Sequence, residues 1–213
     1  LFILTYWSNM LVTERTSTST SFGSFGAEPS DLTAPGSGTE VMNKDVFGAV
    51  GMGYDQFAST ARLSYAETTN AMKNGNLDAG SLSVGLGASA LLDLASTRDM
   101  ELVCMTQDEV DQITAKFPYY APFKIPGGTY PGVEDDCLSI QAANHLFVRA
   151  DADEDLVYQM TKVLYENTEK LVQTSQAAAT ISPAYAMQST VVPLHPGAVR
   201  YYQEMGVEIP DKL

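Results

Sequence analysis

Between residues 33 and 116, short apolar runs alternate with helix-start signals, and this alternation constrains the fold more than any other feature. Ser37 with Glu40, Ser64 with Glu67 and Thr106 with Glu109 each have the capping-box spacing, in which a hydroxyl and a carboxylate satisfy the first free amides of a helix. After the first box, Met42, Val46, Phe47 and Val50 recur at helical spacing and give one apolar face. Residues 61–63, 77–84 and 101–105 read as strands, and 89–96 as a helix. Gly75 suits the left-handed residue that ends the second helix, and the helix opened by Thr106 must stop before Phe117-Pro118. Strands alternating with helices at this spacing predict an α/β lobe over 33–116 with a mainly parallel sheet.

Residues 117–133 interrupt the pattern with four prolines, three tyrosines and three glycines, which predicts an extended crossover; with the strand at 138–148 it makes up a crossover and hinge region over 117–150. Residues 151–213 read as helices of another lobe. They include a long amphipathic helix over 153–174 with Leu156, Val157, Met160, Val163, Leu164 and Leu171 on one face. Ser182-Pro183 has the form of a cap followed by a first-turn proline, and a last helix over 198–205 ends at Gly206. Residues 1–32 differ from the rest: a Thr/Ser run over 16–21 and a Gly/Phe/Ser stretch predict an atypical, poorly ordered segment. It lacks the basic leader, long apolar run and small-residue cleavage site of a signal peptide.

Twelve basic residues against 26 acidic ones give a net charge of −14. Phosphate backbones and anionic lipid heads repel such a surface, which argues against nucleic-acid and membrane-surface roles. No run approaches the roughly 20 apolar residues of a membrane span. Cys104 and Cys137 lack zinc or CxxC spacing; one disulfide in an oxidising compartment and two separate thiols both fit.

A polyanion can still bind a small anion if the site uses backbone dipoles. Pro35-Gly36-Ser37-Gly38-Thr39-Glu40 is built for this: glycines admit close approach, the following helix offers free amides, and Ser37 and Thr39 add hydroxyls. Gly85-Leu86-Gly87-Ala88-Ser89-Ala90 is a second strand-to-helix turn that could face a ligand. It also fits a loose dinucleotide fingerprint with Asp108 about 20 residues on, although Asp78, Gly80, Ser81 and Ser83 make the preceding strand unusually polar for that fold. His145 reads as structural, and His195, between prolines, suits holding backbone better than moving protons. The acidic cluster over 151–155 marks a helix start. No hydrolase, zinc-protease or P-loop motif occurs, so no catalytic residue, metal or cofactor is expected.

Six ordered motifs carry a resemblance: Ala34-Pro35-Gly36-Ser37-Gly38-Thr39-Glu40, Leu77-Asp78-Ala79, Tyr119-Tyr120, Ile125-Pro126-Gly127-Gly128-Thr129-Tyr130, Pro193-Leu194-His195-Pro196-Gly197-Ala198 and Tyr201-Tyr202-Gln203-Glu204-Met205-Gly206. Over about residues 33–208 the chain resembles the TAXI-type solute receptors of tripartite ATP-independent periplasmic (TRAP) transporters. The resemblance implies a type II periplasmic-binding-protein fold, with one complete lobe plus part of the second. It implies a periplasmic receptor, not an enzyme, that binds a small carboxylate such as glutamate and delivers it to a membrane permease. Ser37, Gly38 and Thr39 match the family's ligand-facing turn, with Gly85, Leu86, Gly87, Thr129 and Tyr130 as further ligand-binding candidates. Gly85-Leu86-Gly87-Ala88 departs from the family's usual Gly-Gly-x-Pro, and residues 1–32 match no part of a first lobe. The alternatives are an NAD-dependent oxidoreductase using Gly85-x-Gly87 and a non-functional gene fragment.

Overall fold

A computed structural model of the chain describes residues 2–14, 29–31, 34–57, 59–187, 190 and 192–210. The chain divides into two compact units. A strand-rich unit comprises Ser8–Phe117 and Pro122–Gln141, and a helical unit comprises Leu1–Trp7, Pro118–Ala121 and Ala142–Leu213.

The strand-rich unit follows the alternation read from the sequence. Strand β1 (Phe2–Glu14) enters it from Ser8, followed by β2 (Pro29–Asp31), α1 (Gly38–Ala49), β3 (Ser59–Ala61), α2 (Tyr65–Lys73), β4 (Ala79–Val84), α3 (Ser89–Thr97), β5 (Met100–Val103) and α4 (Gln107–Lys116). The third strand lies two residues earlier than its apolar run suggests. The boxes at Ser64 and Thr106 form with both reciprocal bonds. Gly75 adopts φ +71° just past α2.

Strand β2 pairs in parallel with β3 and with β4, while β1 lies antiparallel between β4 and β5. Within the 1–32 segment, residues 2–14 form strand β1, whose backbone aligns Ser8 with Val84 and Leu11 with Val103. The Thr/Ser run and the Gly/Phe/Ser stretch to Gly26 lie outside the described residues.

The core of this unit gathers Val12, Met72, Leu82, Leu91, Leu94 and Met100, with Tyr130 and Cys137 contributed from beyond α4. Burial of each large apolar side chain stabilises by about 1.5–3 kcal/mol. Strand β4 is buried despite its polar residues, because they are matched: Ser81 donates to Asn43 of α1 at 2.7 Å, both within the core. At Gly80 the absent side chain makes room for α2, since a Cβ there would stand 2.6 Å from Thr68 Cγ2. Asp31, fully buried at the end of β2, accepts from the Leu63 amide at 2.9 Å and the Thr68 hydroxyl at 2.6 Å, fixing the start of α2 against β2.

Strands β6 (Tyr120–Ile125) and β7 (Cys137–Leu146) account for the extended crossover. The chain passes between the units at four points: within β1, β6 and β7 at residues 7–8, 121–122 and 141–142, and before β6 at 117–118. Thr129 and Tyr130 therefore lie inside the strand-rich unit and not at a crossing point. Cys104 and Cys137 form a disulfide joining the end of β5 to the start of β7.

The helical unit contains α5 (Glu154–Glu166), α6 (Thr168–Thr174) and α7 (Pro196–Glu204). The single helix expected over 153–174 breaks at Asn167, whose side chain donates to the Val163 carbonyl at 2.7 Å as its backbone leaves helical values. Ser182-Pro183 opens only a turn, with Tyr185 and Ala186 amides returning to Ser182 and Pro183. Helix α7 starts two residues before its sequence reading, with His195 as cap accepting from the Gly197 amide at 3.2 Å and Pro196 in the first turn. Helices α5 and α7 pack through Val157, Ala198, Tyr201 and Tyr202. Of the expected α5 face, Val157 is buried, whereas Leu156, Met160 and Val163 remain exposed.

Candidate ligand-binding site

Because β2, β3 and β4 run parallel, the helices that follow them all begin at one edge of the sheet, the edge where these strands end. In the order β3-β2-β4, the connection leaving β2 goes to one side and that leaving β4 to the other. Open α/β sheets hold ligands at such a reversal, outside the carboxyl ends of the strands. The two glycine turns singled out from the sequence, Gly36-Ser37-Gly38 and Gly85-Leu86-Gly87, follow β2 and β4 and therefore flank this reversal.

Ser37 caps α1: its side-chain oxygen accepts from the Glu40 amide at 3.1 Å. The expected capping box closes differently, because the Glu40 carboxylate reaches back to the Gly36 amide at 2.6 Å. Glu40 also binds Lys44 at 3.1 Å and Arg62, and these contacts hold its pKa down from 4.5 to about 2, the Gly36 amide contributing most. The amides of Gly38 and Thr39 have no acceptor among the described residues. Gly36 and Gly38 are exposed, and a Cβ on either would meet nothing within 4 Å. The exposed Gly38 thus places an unpaired amide at the helix start, where the positive dipole end favours an anion.

Thr39 is buried and its hydroxyl bonds that of Tyr65, which donates to the Ser83 carbonyl at 3.0 Å. Tyr65 thereby ties the first turn of α1 to β4 at Ser83, two residues before Gly85. The sequence reading passed over Tyr65, since it lies inside the Ser64–Glu67 capping box, whose signal concerns only the helix start. Arg62 was missed as well: it directly follows β3, pairs with Glu40 and lies 5.8 Å from the Tyr54 ring centroid.

The second turn is less open. Gly85, Leu86 and Gly87 are half-buried, Gly87 has φ +68°, and Leu86 packs against the core. Helix α3 has no side-chain cap of its own at Ala88. Instead the buried Tyr130 hydroxyl receives the Gly87 and Ala88 amides, while burial pushes its pKa up. Tyr130 acts on this turn from the core side. Thr129 stays in its own turn, donating to the Pro126 carbonyl at 2.6 Å. Asp108, which a dinucleotide site would need near a strand end, sits exposed in the first turn of α4.

A cavity of about 370 Å³ lies elsewhere in this unit, lined by Glu101, Glu134, Asp135, Asp136 and the disulfide among others. Its carboxylates would repel an anion. The acidic cluster over 151–155 is structural: Asp153 caps α5, Asp151 pairs with Arg149, and Glu154 and Asp155 pair with Arg200. No group of His, Cys, Asp and Glu able to hold a metal ion occurs among the described residues. No helix among them is long and apolar enough to cross a membrane.

Among solved structures, the chain is similar to the periplasmic aliphatic sulphonate binding protein SsuA of Escherichia coli (9% identity, 96% of this chain and 66% of that chain, TM-score 0.49). It is also similar to the alkanesulfonate-binding protein SsuA of Xanthomonas axonopodis pv. citri (14%, 96% and 66%, TM-score 0.44) and to an ancestral arginine-binding protein (13%, 84% and 60%, TM-score 0.41). The chain spans 60–66% of the length of these three chains, and what each binds is a property of that protein. In sequence, the profile of the NMT1-like family matches residues 2–206, nearly the whole chain. The chain belongs to the NMT1-like family.

Proposed function

We propose that this chain is the ligand-binding part of an extracytoplasmic solute receptor of the type II periplasmic-binding-protein kind. It binds a small organic anion and delivers it to a membrane permease. The observation that supports this reading is the unpaired Gly38 amide at an exposed helix start, beside the reversal in strand order at β2 and β4. In a chain of net charge −14, backbone donors provide anion binding without a strongly basic surface.

The ordered motifs shared with TAXI-type receptors favour a TRAP permease as partner and a carboxylate of the glutamate class as ligand. They also favour a periplasmic location and binding without bond-making or bond-breaking. Gly85 and Gly87 then border the ligand, Leu86 and Tyr130 support the second turn from behind, and Thr129 shapes the crossover. In the intact receptor, closure of two lobes over the anion would alter the surface that the permease meets.

Calorimetric titration with L-glutamate, glutarate and succinate, and with NAD as control, tests the reading. Saturable heat with at least one acid, weakened by Ser37→Ala, is expected. Heat with NAD and none with any acid would instead favour a dinucleotide enzyme.

A further inference from the structure

We propose that Arg62 is the charge-recognising residue of this crevice, the cation that selects a fully ionised acid over its uncharged analogue. The inference rests on the anion-receptor reading above and deepens it. Arg62 directly follows β3, so the parallel sheet delivers it to the same edge as the Gly38 and Thr39 amides. One guanidinium nitrogen is held by Glu40, and the group lies 5.8 Å from the centroid of the Tyr54 ring. The Glu40 side chain is 7% exposed and further fixed by the Gly36 amide at 2.6 Å and Lys44 at 3.1 Å, so its grip on Arg62 is itself anchored.

The Arg62 side chain nonetheless remains 40% exposed, and its other N–H donors have no acceptor among the described residues. A guanidinium is a planar fork of five donors, matched to the two oxygens of a carboxylate. Holding one corner reduces the side-chain freedom that a ligand would otherwise have to freeze, and leaves the rest of the fork for that ligand. The charge balance agrees. Glu40 contributes one negative charge, Lys44 and Arg62 one positive each, so this cluster is net positive on a chain of −14.

The test titrates the whole chain, wild type and variants, with glutarate and with glutaramide, its uncharged analogue, at two salt concentrations. Arg62→Ala is expected to lose about 10- to 100-fold in glutarate affinity. Its Kd should also become less salt-dependent, a change that a purely structural role would not produce. Arg62→Lys should recover part of the loss by restoring the charge without the fork. Arg62→Gln, polar but shorter and uncharged, carries the same test if the alanine variant is unstable. Wild-type glutarate binding that survives both Arg62→Ala and Arg62→Gln within twofold would overturn the role of Arg62 and leave the receptor reading standing. Absence of binding by the wild type would overturn both.

Discussion

The hydroxyl of Thr39 meets the hydroxyl of Tyr65, and because the Tyr65 proton goes to the Ser83 carbonyl at 3.0 Å, Thr39 is the donor of the pair. A residue of α2 therefore links the start of α1 to the end of β4. The two glycine turns are held together by a phenol that neither turn contains.

Replacing Tyr65 by Phe keeps the ring and removes the link. The Thr39 hydroxyl and the Ser83 carbonyl both lie in buried residues, so the change is expected to cost about 1–3 kcal/mol of unfolding free energy. It should also weaken anion binding at the edge. Urea denaturation gives the first quantity and calorimetry the second; unchanged values in both would show that Tyr65 is only packing.

Glu40 makes the acid stability of the fold partly predictable. Its folded pKa of about 2 lies below the ordinary 4.5. A depressed carboxyl pKa contributes stability that is fully present above pH 4.5 and lost as the pH falls towards 2. Glu67, lowered by its bonds from Ser64, and Asp136, lowered by the Gly127 amide, add to the same trend. Glu40→Gln should flatten the fall of the urea midpoint across this window without abolishing it. An unaltered pH profile in the variant would contradict the role assigned to Glu40.

The disulfide joins residues 33 apart in sequence. Closing a loop of that length removes unfolded-state freedom worth about 3.5 kcal/mol. Reduction, or replacement of both cysteines by serine, is expected to lower stability by roughly that amount. Comparing denaturation midpoints with and without reductant checks it.

Gly197 permits α7 to lie against the backbone of α5. A Cβ at this position would stand 2.3 Å from the Glu154 carbonyl oxygen and 2.7 Å from the Tyr158 nitrogen. Backbone cannot swing aside as a side-chain tip can, so Gly197→Ala is expected to cost about 1–3 kcal/mol or more. Gly206→Ala makes a useful contrast: its cost should come from its φ of +72°, since a Cβ there meets nothing. Equal stability of Gly197→Ala and wild type by thermal unfolding would disprove the close approach.

The sequence by itself determined the local elements of the strand-rich unit. Capping boxes at Ser64 and Thr106, the apolar spacing of Met42, Val46 and Phe47, and Gly75 as a left-handed terminator all act within a few residues, so they can be read without knowing the fold. The glycine turns after β2 and β4 were legible for the same reason. Tertiary structure decided what those turns face and what holds them. Tyr65 and Arg62 lie 26 and 22 residues from their partners Thr39 and Glu40, and Tyr130 reaches Gly87 and Ala88 from within the crossover. The Glu40 carboxylate had a capping-box address and took another, because Gly36, Lys44 and Arg62 together offer it more than the Ser37 amide does. Strand β1 was illegible because its stability comes from partners at Ala79–Val84 and Met100–Val103, and a strand's free energy resides in its neighbours more than in its own residues.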